Sequence, residues 1–466
     1  MTDLVVASNR GPLSFRLDAE GDPELTGSGG GLAGTLHPLL AGSGATWVAA
    51  SMSEADRRAA EDGLMAEDGL VIVPVDLDPD VYRMAYDVVA NATLWFCHHH
   101  LFDLARRPRF DRHWAQAWDA YRSYNQSFAR TLAEVAPSGA SVLVQDYHLA
   151  LCGTELRSRR PDLRTVHFSH TPFADPSGVR VLPEAAADEL LRSMADFGAC
   201  GFHTARWEAA FAACFEDEGL AGGIAGPGRT FHSALGPDPE ALATAAASDA
   251  AAVAGAELER LVGDRKLVVR VDRVELSKNI LRGCLAFEEL LETRPEWRDR
   301  VVLLALAYPS REGLADYLAY RSEVEHTVAR INETWGTPAW TPIVLDVADA
   351  RARSVAALER YDVLLVNPVR DGLNLVAKEG PLVNRTDGVL VVSREAGAWE
   401  ELRPAALGIN PFDVSATARA LEAALCMDAA ERARRATDLR KVILDHTAAD
   451  WLTDLRQVAD SLAPTR

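Results

Sequence analysis

No apolar run in this chain reaches the length of a membrane span. Its start, Met1-Thr2-Asp3 followed at once by Leu4-Val5-Val6-Ala7, has neither a basic n-region nor a long apolar h-region. The expectation is a cytoplasmic protein with no secretory signal. Positive charge is also scarce, since 48 Lys and Arg against 68 Asp and Glu leave a net charge of −20. That balance argues against nucleic acid or anionic membrane as partner, because both require basic surface. Any site for a phosphorylated ligand must then be a local concentration of Arg and Lys. Cysteine pairs at metal-ligand spacing are missing too. Cys97, Cys152, Cys200, Cys214, Cys284 and Cys426 are scattered, most of them in apolar stretches, as expected of buried thiols in a reducing compartment.

At 466 residues the chain is too long for one ordinary core, so two domains of about 200 residues each are expected. Short apolar runs alternate with amphipathic stretches from end to end, the pattern of doubly wound α/β domains. In the first half, Leu4–Ser8, Thr46–Ala50, Gly69–Pro74, Ser141–Gln145 and Thr165–Ser169 predict strands. Phe110–Val135 and Ala185–Phe197 predict helices. The turn-rich Ala234-Leu235-Gly236-Pro237-Asp238-Pro239 marks a link between domains. Beyond it, Lys266–Val271, Val301–Ala307, Pro342–Leu345, Val363–Val366 and Gly388–Val392 predict strands. The last stretch, His446–Leu462, predicts a helix with Trp451, Leu452 and Leu455 on one face.

The most informative segment is Asn367-Pro368-Val369-Arg370-Asp371-Gly372-Leu373-Asn374-Leu375-Val376-Ala377-Lys378-Glu379. It follows Asp362-Val363-Leu364-Leu365-Val366, an apolar run that predicts a buried parallel strand. Gly372 suits a positive φ or the close approach of a ligand to the backbone. From Asn374 onward, through Leu375 and Val376, the composition favours a helix. Its first N–H groups would face whatever lies over the strand's carboxyl end. With Asp371 before the turn and Glu379 beyond it, the segment can hold sugar hydroxyls, a diphosphate and a ribose in a row.

These residues resemble the donor-binding signature of the trehalose-6-phosphate synthases, retaining glycosyltransferases, and the resemblance recurs along nearly the whole chain. It implies an α/β fold of GT-B type: two Rossmann-like domains facing each other across a cleft, with the final helix crossing back onto the first. The implied domains are 1–235 for the acceptor, 236–448 for the nucleotide sugar, and 449–466 for the returning helix. Homo-oligomers are frequent in the family. No metal or other cofactor is implied, because an Arg and a Lys neutralise the leaving diphosphate. Here Arg273 and Lys278, in Val271-Asp272-Arg273-Val274-Glu275-Leu276-Ser277-Lys278-Asn279, match that pair on a strand-to-helix loop. The family pattern, Arg-Leu-Asp-Tyr-Thr-Lys-Gly, differs in the residues between them and at Asn279.

In the first domain, Gln145-Asp146-Tyr147-His148-Leu149 and His167-Phe168-Ser169-His170-Thr171-Pro172-Phe173 close two predicted strands, where ligand-contacting residues belong. They look like the family's His-Asp-Tyr-His-Leu and His-Ile-Pro-Phe segments, with Gln145 replacing the first His. The resemblance implies that Asp146 faces the acceptor hydroxyl with Tyr147 beside it, and that His170 contacts the transferred sugar. For the acceptor, glucose 6-phosphate, it implies Arg10, Tyr86, Trp95 and, from the second domain, Arg311. Gly30 and Gly31, in Gly29-Gly30-Gly31-Leu32-Ala33-Gly34, lie too far from the strand at Leu4–Ser8 for a NAD-type turn. By resemblance they let a helix N-terminus approach the donor's diphosphate. His98-His99-His100 lacks metal-ligand spacing. Asp76-Leu77-Asp78 is similar to a phosphatase nucleophile pair, but Pro79 and Asp80 follow it, so the product should keep its phosphate.

The implied catalytic set is therefore Asp146, His170, Arg273, Lys278 and Asp371, working by front-face substitution. Two relatives share the signature: validoxylamine 7′-phosphate synthase, which joins cyclitols, and glucosylglycerol-phosphate synthase. The intact Asp146, His170 and Asp371 favour an ordinary glucosyl donor. A noncatalytic sugar-phosphate sensor would be marked by loss of a charged donor residue, and Arg273, Lys278, Asp371 and Glu379 are all present. The donor's base is expected beside Pro342-Ile343-Val344-Leu345-Asp346-Val347-Ala348-Asp349. Where the uridine-type pattern has Leu-Asn-Gln-His-Phe-Asp, this chain has small residues and Asp346, a carboxylate suited to the N1–H and exocyclic amine of guanine. GDP-glucose is thus expected over UDP-glucose, the alternative being that Asp346 caps the next helix.

Overall fold

The structure, a computed structural model, describes residues 3–28, 32–67, 69–217, 219–220, 226–311, 313–348 and 350–462. Gly30 and Gly31 lie outside the described residues. Contacts divide the chain into two units, Met1–Ala234 with Ala448–Arg466, and Leu235–Thr447.

The first unit is built on strands β1 (Leu4–Ser8), β4 (Thr46–Ala50), β5 (Ala66–Glu67), β6 (Leu70–Val75), β7 (Ser141–Gln145), β8 (Arg164–Ser169), β9 (Ala199–Phe202) and β10 (Thr230–His232), with a separate hairpin of β2 (Leu13–Leu17) and β3 (Pro23–Ser28). The sheet order is β10-β9-β8-β7-β1-β4-β6-β5, parallel except where β5 meets β6. β1 and β7 are buried along their whole length, as parallel strands covered on both faces must be. The chain lays β4 and β6 on one side of β1, then returns to place β7 on the other. That reversal makes the carboxyl ends of β1 and β7 a topological switch point.

The second unit has six parallel strands: β11 (Lys266–Arg273), β12 (Val301–Tyr308), β13 (Ile343–Asp346), β14 (Val363–Val366), β15 (Val389–Ser393) and β16 (Leu407–Ile409). Their order, β13-β12-β11-β14-β15-β16, reverses between β11 and β14. β11 pairs with β14 only at Val268 and Val269, although it runs on to Arg273. The crevice therefore opens where the two carboxyl ends part.

The predicted strands and helices are present, some displaced at their ends: β6 and β13 each begin one residue later than expected, and the long helix is Arg112–Val135. The hairpin and the short β9 and β10 gave no legible alternation. Neither did Met84–Leu94, which is a π-helix, a rare form with no periodicity signature of its own. Five of the six cysteines are buried and Cys426 is exposed. No helix among the described residues is long and apolar enough to cross a membrane.

The final helix, Ala448–Ser461, packs on β7, β8 and β9 of the first unit. Its Trp451 has no solvent exposure and meets Phe168 edge to face, with centroids 5.1 Å apart at 88°. Replacing Trp451 by Ala should destabilise the protein by about 3–5 kcal/mol. Chemical unfolding measures that cost, and an unchanged midpoint would deny the helix its place in the core.

Candidate active site

In the second unit the loop after β11 is held from below by a buried ion pair. Arg270, with no exposure, donates to Asp272 Oδ2 through Nε (3.0 Å) and Nη2 (2.8 Å). Nη2 also donates to the Lys278 carbonyl at 2.9 Å, which fixes that lysine's backbone. Arg273, half-exposed at the strand end, lies 3.1 Å from Glu275 Oε1. Glu275 is fully buried and also accepts the Ser310 hydroxyl at 2.8 Å, with Arg311 Nη1 3.9 Å away. Burial works against its charge, but Arg273, Arg311, Lys278 and Ser310 outweigh it and bring its pKa down to about 2. Lys278 Nζ donates to Asp371 Oδ2 at 2.5 Å. Burial opposes the ammonium, while Asp371 and Glu275 raise its pKa, so it stays charged. Three cations and two carboxylates thus share one cluster, a local positive excess within an acidic chain.

Asp371 follows β14, across the switch point from this loop. The turn differs from the sequence expectation in two respects. Its left-handed residue is Asn374, at φ 83°, rather than Gly372. The helix runs Val376–Val383 with Leu375 at its N-cap, so Asn374 precedes it instead of starting it. Asn374 Oδ1 accepts the Ala377 N–H at 3.2 Å, and its Nδ2 donates to Asp371 Oδ2, also at 3.2 Å. One asparagine therefore couples the helix start to the carboxylate, leaving the Leu375 and Val376 amides at the positive end of the helix. Glu379 is half-buried on the next turn, where burial raises its pKa against the opposing charge of Arg351.

Asn279, the departure from the family's glycine, has φ 57°. The position demands the left-handed region, which asparagine tolerates. Its Nδ2 donates to the carbonyls of Asn367 (3.0 Å) and Pro411 (2.8 Å), tying the β11 loop to those after β14 and β16. Arg311, also left-handed at φ 49°, donates to the Tyr317 hydroxyl at 2.6 Å. Asp346 closes β13, but its carboxylate is engaged: Oδ1 accepts the Ala348 N–H at 2.9 Å, and Oδ2 lies 2.8 Å from Arg353 of the helix Arg351–Arg360. It does not cap that helix, the alternative the sequence left open: Ala350 stands at the N-cap with no side-chain cap, and Asp346 reaches the helix only through Arg353.

In the first unit the implied residues gather at the carboxyl ends of neighbouring strands. Arg10 is exposed after β1. Asp146, after β7, has φ 71°, an uncommon conformation for a residue with a side chain. Its Oδ1 accepts the His170 backbone N–H at 3.2 Å, and His148 Nδ1 lies 3.9 Å from its Oδ2. Tyr86, on the π-helix, stacks between Tyr82 (5.4 Å) and His148 (5.6 Å). Three of the implied residues have partners within the first unit. Tyr147 is buried and gives its hydroxyl to Asn91 Oδ1 at 2.9 Å. Trp95 is buried with its ring 3.9 Å from that of His99. His170 has both ring nitrogens committed, Nε2 to Gln145 Oε1 at 2.9 Å and Nδ1 to His203 Nε2 at 3.2 Å. His98 and His99 serve backbone groups, Ala174 N and Trp95 O, and no group of metal-binding side chains occurs among the described residues.

Arg270 and His203 are the partners sequence reasoning missed. A charged residue inside the apolar run of β11, two places from Asp272, was the available signal for the first.

The family model described as Glycosyltransferase family 20 matches residues 2–460. The trehalose-6-phosphate synthase of Mycobacterium sp. (strain JLS) is 34% identical, covering 100% of this chain and 97% of its own. Among solved structures, an E. coli trehalose-6-phosphate structure bound with UDP-2-fluoro glucose has a TM-score of 0.85 at 28% identity, over 99% of each chain. A UDP-forming alpha,alpha-trehalose-phosphate synthase from Burkholderia xenovorans, in complex with glucose-6-phosphate, has a TM-score of 0.84 at 28% identity, over 98% of this chain and 100% of that one.

Two outcomes are expected from the cluster itself. Asn279→Gly should be more stable than Asn279→Ala by about 1 kcal/mol, because only the alanine pays for the left-handed backbone. Equal unfolding free energies for the two variants would contradict this. Glu275, with a folded pKa of about 2 against an ordinary 4.5, lends stability that is complete above the ordinary value and lost as pH falls toward 2. Glu275→Gln should be less stable at neutral pH and show a flatter acid limb. An acid limb of unchanged slope would mean another group governs it.

Proposed function

The chain belongs to glycosyltransferase family 20, and on that premise we propose that it transfers glucose from a nucleoside diphosphate glucose to glucose 6-phosphate, giving trehalose 6-phosphate with retention. The observation that carries this reading is the cation cluster of Arg273, Lys278 and Arg311 at the β11–β14 switch point, with Asp371 beside it. Arg273 and Lys278 neutralise the diphosphate as the anomeric C–O bond breaks. The acceptor hydroxyl bonds to the same face of that carbon and gives its proton to the departing phosphate oxygen. Asp371 is already paired with Lys278, so it holds sugar hydroxyls rather than attacking the anomeric carbon. Glu379 serves the ribose, the Leu375 and Val376 amides the phosphates, and Arg10 with Tyr86 the acceptor. Asp146 orients the acceptor hydroxyl. The cations do the work a metal would otherwise do, so none is required.

We take the donor base to be guanine. Val347 and Ala348 leave room for a purine, and Asp346, held by Arg353, still has lone pairs to accept from it. The UDP-forming relative argues the other way.

Incubated with GDP- or UDP-glucose and glucose 6-phosphate in the presence of a chelator, the protein should form a phosphorylated disaccharide. Ligand binding without product from any donor would sink the enzymatic reading. The guanosine donor should show the higher kcat/KM, and the reverse order would overturn the base assignment. Arg273→Ala and Lys278→Ala should each lower kcat by about 10²–10³. Near-native turnover in either variant would remove that residue from the mechanism.

A further inference from the structure

We propose that Gln145 is a positioning residue for the transfer: its amide oxygen fixes the His170 ring, and with it the backbone N–H that holds the Asp146 carboxylate. The inference rests on the functional reading above. Gln145 ends β7 with 1% exposure, and His203, just beyond β9, has 4%. Between them the His170 ring is held from both sides, at 2.9 Å through Nε2 and 3.2 Å through Nδ1. A neutral imidazole carries one proton, so with the amide oxygen accepting at Nε2, Nδ1 must accept from His203 Nε2–H. The relay thus selects the Nε2–H tautomer. Burial, then His203 and His167, depress the pKa of His170 well below its ordinary value. The amide adds no charge that would oppose this. Titratable neighbours are His203 after β9, His167 in β8 and Asp146 after β7, while the helix Ala448–Ser461 presents the uncharged Trp451, its ring 5.7 Å away.

Asp146 needs such support because its backbone is in a costly region. Its N–H donates to Phe168 O at 2.7 Å, its carbonyl lies 3.1 Å from His167 Nε2, and its Oδ1 takes the His170 N–H at 3.2 Å. A His170 ring free to turn would loosen the last of these contacts.

The test uses full-length protein labelled with ¹⁵N-histidine, with the His170 signals assigned through His170→Gln. In the wild type these signals should report the neutral Nε2–H tautomer, unchanged over roughly pH 5 to 8. Gln145→Glu, nearly isosteric, offers a carboxylate to the same Nε2–H and should make His170 titrate in that range. A matching ionisation should then appear in kcat. Gln145→Leu should lose the tautomer preference and lower kcat about tenfold, with KM for glucose 6-phosphate within about twofold. An Nδ1–H tautomer in the wild type, or a Gln145→Glu protein with unchanged His170 signals and pH profile, overturns the proposal. These two measurements suffice if Gln145→Leu does not fold. Failure of the functional reading is a separate result, a wild type that makes no product while the histidine signals behave as stated.

Discussion

The loop after β11 in the second unit depends on one carboxylate with no access to water. Glu275 draws Arg273, Arg311 and Lys278 around itself, three groups that would otherwise repel one another in a confined loop. Burying a charge is costly unless it is paired and hydrogen-bonded, and Glu275 has both kinds of partner. A second buried ion, Arg270, performs the complementary task beneath the loop by capturing the Lys278 carbonyl. The space it occupies dictates sequence elsewhere. A Cβ at Gly283 would lie 2.2 Å from Arg270 Nη1, so the adjoining helix Ile280–Thr293 carries a glycine there. Fold and site are thus one problem in this loop. The strand cannot end correctly without the residues that place its cations.

Much of this was legible in the sequence because parallel strands buried on both faces are continuous apolar runs, and their carboxyl ends are where ligand groups collect. Asp371, Arg273, Lys278, Asp146 and Arg10 all stand at such ends. What one chain of letters hid was backbone handedness and the direction of hydrogen bonds. Glycine is the residue one suspects of positive φ, yet the turns beside Lys278 and Asp371 use Asn279 and Asn374. Asparagine accepts the strained backbone and then repays its presence with side-chain bonds that glycine lacks, to Pro411 in one case and Asp371 in the other.

The first unit was less readable for a different reason. Its aromatic residues come from three different elements: Tyr86 on the π-helix packs against His148, while Trp95, opening the α-helix that follows it, and Tyr147, on the 3-10 turn after β7, go into the core. Periodicity cannot separate those fates, since each residue is an aromatic in an apolar context. His170 shows the same limit. A histidine at a strand end suggests a ligand contact, but the Gln145 and His203 that occupy its two nitrogens come from neighbouring strands, and such pairing is a property of the sheet order.

If the proposed function holds, the charge arrangement also accounts for how a chain with a net charge of −20 serves a diphosphate. Unpaired buried cations would be costly to hold and would recruit any anion. Here Lys278 arrives already paired with Asp371 at 2.5 Å, so a bare phosphate must compete with a carboxylate for the same ammonium. A sugar diphosphate is different, because its sugar hydroxyls give Asp371 new donors while its phosphates take over Lys278. Both partners of the original pair then remain satisfied. Neither the sugar nor the phosphate alone achieves that exchange, so on the proposed reading the ion pair of Lys278 and Asp371 favours the intact donor.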